Sequence, residues 1–250
     1  MLTIGLLIKT SCLFILLGSS LSWANGPAPR SLLDWSTEWT EKKYHRQANK
    51  ADKAFHRKQW PAAIKLGEST LNGCLSLFME TDPRCITQMK KNIVAYAKTD
   101  SLLQHPREIT RGYRLAKQEL GTTHSATVST RFYYHQLLRE QERYLALIPV
   151  VVEIIASEKA LQNDEFSILE WEILLYGLYV VEEKQDKLIP TVKRIMAITE
   201  RIIGVDSENF RRAAMALADN YCTEKMYNEF FEITGKYRLD NKCLTRNSSR

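Results

Sequence analysis

The same local text returns along this chain at a nearly constant interval. Trp60, Ser101, Tyr144, Gln185 and Met226 follow one another at steps of about 42 residues, each inside a stretch patterned as helix, turn, helix. Leu147-Ile148-Pro149 comes back as Leu188-Ile189-Pro190 one step later, and Leu120-Gly121 as Ile203-Gly204 two steps later. A helical unit of roughly 33 to 47 residues cannot bury its apolar face alone and does so by stacking on its neighbours. The interval therefore predicts an all-α solenoid of about five helix pairs. Such arrays offer surfaces for binding, which weighs against an active site.

The third unit is the clearest, Thr127 to Leu161, with Phe132, Leu137, Leu138, Tyr144, Leu147, Val150, Val151, Ile154 and Ile155 at helical spacing. The fourth, Glu165 to Ile203, follows with Ile168, Ile173, Leu174, Leu178, Leu188, Val192, Ile195 and Met196. The fifth runs Glu208 to Tyr237, and the second Arg84 to Leu120. The first starts with a polar helix over Thr37 to Lys58, turns at Trp60-Pro61, and leads into an irregular segment at Asn72 to Pro83. Pro106, Pro149 and Pro190 share a register; Pro61 falls four places early. Gly121, Gly204 and Gly235 read as helix junctions, where glycine ends a helix in the left-handed conformation.

The ends read differently. Residues 1–24 are apolar apart from a few small polar residues and Lys9, and Ser22-Trp23-Ala24 fits a cleavage site for an export signal. The alternative is an uncleaved membrane anchor, although Lys9 and Gly18-Ser19-Ser20 interrupt the apolar run. Residues 25–35 read as a flexible leader, 36–240 as the solenoid and 241–250 as a loose tail. Export implies a periplasmic or secreted protein.

Loss of Lys9 with residues 1–24 takes the 35 basic residues to 34 against 29 acidic ones, and the net charge from +6 to +5. The signs alternate, as in Arg139-Glu140-Gln141-Glu142-Arg143, which is a solvated helix face. Nucleic acid would call for a clustered basic stripe, so it is not an expected partner. Four cysteines remain, Cys74, Cys85, Cys222 and Cys243. An even number in an exported chain favours disulfides, and four allow three connectivities. Pairing Cys74 with Cys85 and Cys222 with Cys243 closes the shortest loops and is preferred. No Cys-x-x-Cys suggests zinc.

From Leu120-Gly121-Thr122-Thr123-His124 through Arg143-Tyr144, Leu147, Pro149 and Glu158-Lys159 the chain resembles the tetratricopeptide repeat. It is most similar to the longer variety of roughly 42 residues found in kinesin light chains. Trp60-x-x-Ala63-Ile64 is similar to the commoner form. The resemblance covers about residues 40 to 238 and departs most in the second unit, where Ser101 and Gln104 stand in place of Tyr and Ala. It implies a right-handed superhelix whose concave groove, lined mainly by the first helix of each pair, binds peptides or protein segments.

No catalytic motif stands out: there is no Gly-x-Ser-x-Gly, phosphate-binding loop or His-Glu-x-x-His. The five histidines are scattered, and neither a metal nor a cofactor is implied. Trp171, Tyr176 and Tyr179 are spaced as a packed helix face. Aligning the first helices by the marker offsets gives three columns: Gln88, Arg131, Glu172, Ala213; Asn92, His135, Tyr176, Leu217; and Ala95, Leu138, Tyr179, Asn220. Asn92, Arg131, His135 and Asn220 from these columns, with Lys91 next to Asn92, are the candidates for gripping a peptide in the groove. The expectation is thus a non-enzymatic, exported adaptor for a protein or peptide partner. The alternative is a structural subunit of an envelope assembly, membrane-bound only if the N-terminal segment is uncleaved.

Overall fold

Each pair is built from two kinds of helix start. First helices begin at a side-chain cap, where a polar group accepts from a backbone N–H that the helix itself leaves unpaired. Thr40 caps α1 (Glu41–His56), Asp82 caps α3 (Pro83–Ala97), His124 Nδ1 caps α5 (Ser125–Glu140) and Ser207 caps α9 (Glu208–Thr223). Second helices have no such cap: α2 (Trp60–Leu77), α4 (Pro106–Leu120), α6 (Tyr144–Ala160), α8 (Gln185–Ile202) and α10 (Tyr227–Tyr237). They follow a tight turn instead. Asp164 precedes α7 (Glu165–Val181) without a side-chain bond. The computed structural model describes residues 38–239 and Cys243. The export signal, the leader and the tail around Cys243 lie outside the described residues. The chain divides into Met1–Glu38 and the unit Trp39–Arg250, which holds all ten described α-helices.

The turn inside each pair is the most regular feature of the fold. Lys58, Asp100, Glu142, Glu183 and Lys225 all have positive φ, between 51° and 58°. One such residue falls in every unit, at the repeat interval. The N–H of the residue after each one bonds back five residues: Gln59 to Ala54, Ser101 to Tyr96, Arg143 to Leu138, Lys184 to Tyr179 and Met226 to Tyr221, at 2.8–2.9 Å. This is the Schellman way of ending a helix, adopted at all five of these turns without glycine, and again at Gln162 after α6 and Arg238 after α10. Between pairs, Gly121 (φ 83°) and Gly204 (φ 93°) serve two of the turns and Gln162 (φ 53°) a third. Gly235 corrects the junction reading: it lies inside α10, because Tyr237 and Arg238 end that helix.

Packing is between chain neighbours. Every helix from α2 to α9 packs on the one before and the one after, and α3 also meets α5. Among the described residues the architecture is therefore an α-solenoid of five helix pairs, with no strand. One core cluster runs unbroken from Leu138 to Cys243. Units one and two, joined by Leu137 of α5, hold four smaller clusters instead. Polar contacts thread that half: Gln88 donates to Asn92 at 2.8 Å, and the Tyr96 hydroxyl donates to Glu68 at 2.9 Å.

Two local expectations change. The segment Asn72 to Pro83 is irregular only over 78–82, because α2 continues to Leu77 to bury Cys74 and set Leu71 and Leu75 against the core. Pro106, Pro149 and Pro190 share a register but not a role. Pro149 and Pro190 sit inside α6 and α8, whereas Pro106 opens α4. In the second unit a 3₁₀ turn, Leu102–Gln104, takes the place of the first helical turn.

Cys74 pairs with Cys85 and Cys222 with Cys243, with Cα–Cα distances of 5.6 and 5.7 Å. The first bridge ties α2 to α3 across a sequence separation of 11, and the second ties α9 to Cys243 across 21.

Candidate functional site

Four of the five groove candidates are buried. Arg131 is 1% exposed, Asn92 3%, His135 4% and Asn220 8%. Arg131 donates to Glu153 at 3.0 Å and to the Thr122 carbonyl at 3.2 Å. The Asn220 amide donates to the Tyr176 hydroxyl at 3.1 Å and to the Ala216 carbonyl at 2.7 Å. Asn92 Oδ1 faces Gly67, where a Cβ would overlap it. These side chains hold helices together and offer little to a ligand. Lys91 alone is partly open. It pairs with Asp52 at 2.6 Å and lines a cleft of about 270 Å³ between α1 and α3, with Tyr44, Arg84, Thr87 and Gln88.

A slip of one residue misplaces Asn92 and Asn220, whereas Arg131 and His135 keep their columns, which face into the array. The sequence markers equate Trp60, Ser101, Tyr144, Gln185 and Met226, but the left-handed turns set the true register. Counting back eleven places from each turn gives Gln47, Met89, Arg131, Glu172 and Ala214; seven places give Ala51, Ile93, His135, Tyr176 and Ala218. Both columns lie mostly inside the array. His135 stands where other units place apolar side chains or a tyrosine. Neither ring nitrogen has a hydrogen-bond partner, and the ring meets Trp171 edge-on at 5.0 Å. Burial, with Arg139 nearby, lowers its pKa to about 4.

Arg131 and Glu172 occupy one position in consecutive units, each in a buried ion pair across its own helix pair. Arg194 donates to both oxygens of Glu172 at 2.9 and 3.0 Å. Lys159 of the preceding pair stands 3.5 Å from Glu172, as Lys117 of the pair before that meets Glu153. Burial works to raise the Glu153 pKa, but hydrogen bonds from Lys117, Arg131 and Tyr113 overcome it and hold the carboxyl below its usual value. Burial and the bond to Glu153 raise the Tyr113 hydroxyl well above its usual value. Trp171 and Tyr176 are half-buried and Tyr179 is buried, all in the main core, as a packed helix face requires.

The open surface lies ten places before each turn, in the column Ala48, Lys90, Phe132, Ile173 and Met215. Phe132 is 43% exposed, Ile173 52% and Met215 42%. They stand on three neighbouring first helices. The His135–Trp171 contact joins α5 to α7, and the Asn220–Tyr176 bond joins α7 to α9. Sequence reasoning assigns Phe132 and Ile173 to the packing face because apolar periodicity does not say which side of a helix its neighbours cover. Their separation by one repeat step was the available signal. Among the described residues no group of three His, Cys, Asp or Glu side chains converges as a metal site. Nor is any described helix long and apolar enough to cross a membrane.

These features define a class, an α-solenoid of tetratricopeptide-like helix pairs with an apolar row on its first helices. Solved structures similar in fold are the following. A kinesin light chain of nearly identical TPR-like repeats from Podosopora anserina has 12% identity and a TM-score of 0.48, over 83% of this chain and 98% of that one. MamA has 14% identity and a TM-score of 0.46, over 79% and 91%. BtubC from P. vanneervenii has 10% identity and a TM-score of 0.44, over 84% and 82%. No protein-family model matches the chain, and no curated protein does.

Proposed function

We propose that this chain is an exported adaptor that holds a segment of a protein partner against the open face of α5, α7 and α9. The observation that carries this reading is the row Phe132, Ile173 and Met215, three large apolar side chains left in water on adjacent helices. Clusters of exposed apolar side chains on a soluble surface mark interaction sites. Neither the main core nor the ion pairs need them, so their place is better explained by an occupant than by folding. Two paired disulfides favour an oxidising compartment, periplasmic or extracellular, in line with the export signal read at residues 1–24.

The test is affinity capture from the native envelope with wild-type protein and with the double variant Phe132→Asp, Ile173→Asp. Circular dichroism checks that the helices persist. A specific partner is expected on the wild type and depleted at least about tenfold on the variant. Equal capture by both would refute the assignment to this face. N-terminal sequencing of the exported material tests the signal, with Asn25 expected first.

A further inference from the structure

The junction between the first two units differs from those that follow. Nine places after the turn, the second helices α4, α6 and α8 carry Ile109, Val151 and Val192. Eight places before the next turn, α5, α7 and α9 carry Tyr134, Leu175 and Leu217. All six belong to the apolar clusters. At the first junction the same two places hold Gly67 and Asn92. They face each other, since a Cβ at Gly67 would overlap Asn92 Oδ1. The missing side chain makes room for an amide where later units bury leucine.

That amide is held in one orientation and left half-used. Gln88 donates to Asn92 Oδ1 at 2.8 Å on the Gly67 side, which turns Nδ2 away from it. Nδ2 has no hydrogen-bond partner among the described residues, although Asn92 is buried. An unpaired buried donor costs stability, and leucine at this place in two other units shows that stacking does not require it.

Asn92 lines a cavity of about 30 Å³ that opens between the second helices α2 and α4, apart from the face of α5, α7 and α9. Leu71 and Met89 are apolar wall, and Glu108 and Arg111 stand exposed at the mouth. Arg111 is engaged by Glu80, and the Tyr96 hydroxyl donates to Glu68 at 2.9 Å. The Glu108 carboxylate has no hydrogen bond among the described residues. The cavity thus joins a spare donor from α3 to a spare acceptor from α4. A carboxylate would be repelled by Glu108, and an ammonium has nothing to accept from Asn92. A primary carboxamide satisfies both ends, its oxygen accepting from Asn92 Nδ2 and its nitrogen donating to Glu108. Sites for whole small molecules run to roughly 300–1,000 Å³, so this one admits the tip of a side chain.

We propose that the cavity is a second recognition site, which takes the side-chain amide of a glutamine from a protein partner lying across α2 and α4. Glutamine suits it better than asparagine because the longer stem carries the partner's backbone clear of Leu71 and Arg111. The site is separate from the row on α5, α7 and α9 and goes beyond that reading.

The experiment follows the Asn92 side-chain N–H signals of the full chain by ¹⁵N NMR. The probe is a pentapeptide of four alanines around a central glutamine, acetylated and closed as a methyl ester. The same peptide with glutamate, and propionamide, are the comparisons. The glutamine peptide is expected to shift both signals saturably, with a dissociation constant on the order of millimolar. Glutamate and propionamide should bind at least about tenfold more weakly. Glu108→Gln, at an exposed position, should narrow the preference for glutamine over glutamate at least about fivefold. No saturable shift, equal binding of the two peptides, or a preference unchanged by Glu108→Gln would each overturn the proposal. Propionamide binding as tightly as the peptide would make the ligand a free amide, and the proposal fails. It fails too if the Asn92 N–H groups cross-relax with a bound water that the peptide does not displace. None of these outcomes touches the adaptor reading, which the envelope capture decides with Phe132 and Ile173.

Discussion

Arg131 on α5 donates to Glu153 on α6 at 3.0 Å, and one unit later the same two positions hold Glu172 and Arg194 with the charges exchanged. Both pairs have the same sequence separation, 22, and each is joined by a lysine from the preceding second helix, Lys117 or Lys159. The exchange keeps the position ionic without keeping its sign. Exchanging the second helices of the two pairs would set Arg131 opposite Arg194 and Glu172 opposite Glu153.

Removing one partner of such a pair strands the other. Glu153→Leu leaves Arg131, 1% exposed, with the Thr122 carbonyl as its remaining acceptor among the described residues. It should lower the unfolding free energy by about 3 kcal/mol in urea titration. Lys117→Met, which removes the half-exposed partner of the same carboxylate, should cost less than about 1 kcal/mol.

His135 makes stability depend on acid. Its folded pKa of about 4 lies below the ordinary value of 6.5, so on acidification the unfolded chain takes up the proton first. The stabilisation is complete above pH 6.5 and is lost as pH falls toward 4. The loss is on the order of 3 kcal/mol for a shift of this size. His135→Ile, which copies Ile93 from the preceding unit, should remove that part of the slope. Melting temperatures of both proteins between pH 7 and pH 4 provide the comparison, and parallel curves would count against it. The low pKa of Glu153 adds its own loss below its ordinary range in both proteins and cancels in the difference.

Gly67 and Gly177 should respond in opposite directions to the same substitution. Gly67→Ala forces a methyl onto the Asn92 amide and should destabilise by about 1–3 kcal/mol. At Gly177 a Cβ would meet nothing within 4 Å, so Gly177→Ala should stabilise by about 0.5–1 kcal/mol. Thermal melts of the two variants against wild type measure the contrast.

Peptide mapping without reduction should recover Cys74 linked to Cys85 and Cys222 linked to Cys243. Replacing Cys74 and Cys85 together by alanine should cost roughly 3 kcal/mol, the chain-entropy value for a short loop. The pair is fully buried, so mild reductant should spare it until the protein unfolds.

Helix pairs, their number and most of their limits were legible in the repeat, because helical periodicity and capping are local. The apolar spacing places unit three at Thr127 to Leu161, and the helices that build it run from Ser125 to Ala160. The cysteine pairing was legible as well, since neighbouring cysteines in a stacked array have few other reachable partners. The groove candidates were not. Trp60 and Tyr144 begin their helices, but Ser101 and Met226 precede theirs, so equating them moves Asn92 and Asn220 by one place, about 100° around the helix, while Arg131 and His135 keep their columns and are buried by helices that local sequence does not specify.

The sequence by itself determined an α-solenoid of five pairs, because period, caps and apolar spacing each act within a few turns of chain. Only the tertiary structure decided which polar residues are inside and which apolar ones are out. Arg131 is buried because Glu153 and Thr122 meet it there, and Ile173 is exposed because none of the described helices covers that side of α7. Both outcomes depend on where distant stretches of the chain come to lie, and a one-residue change in register reverses them.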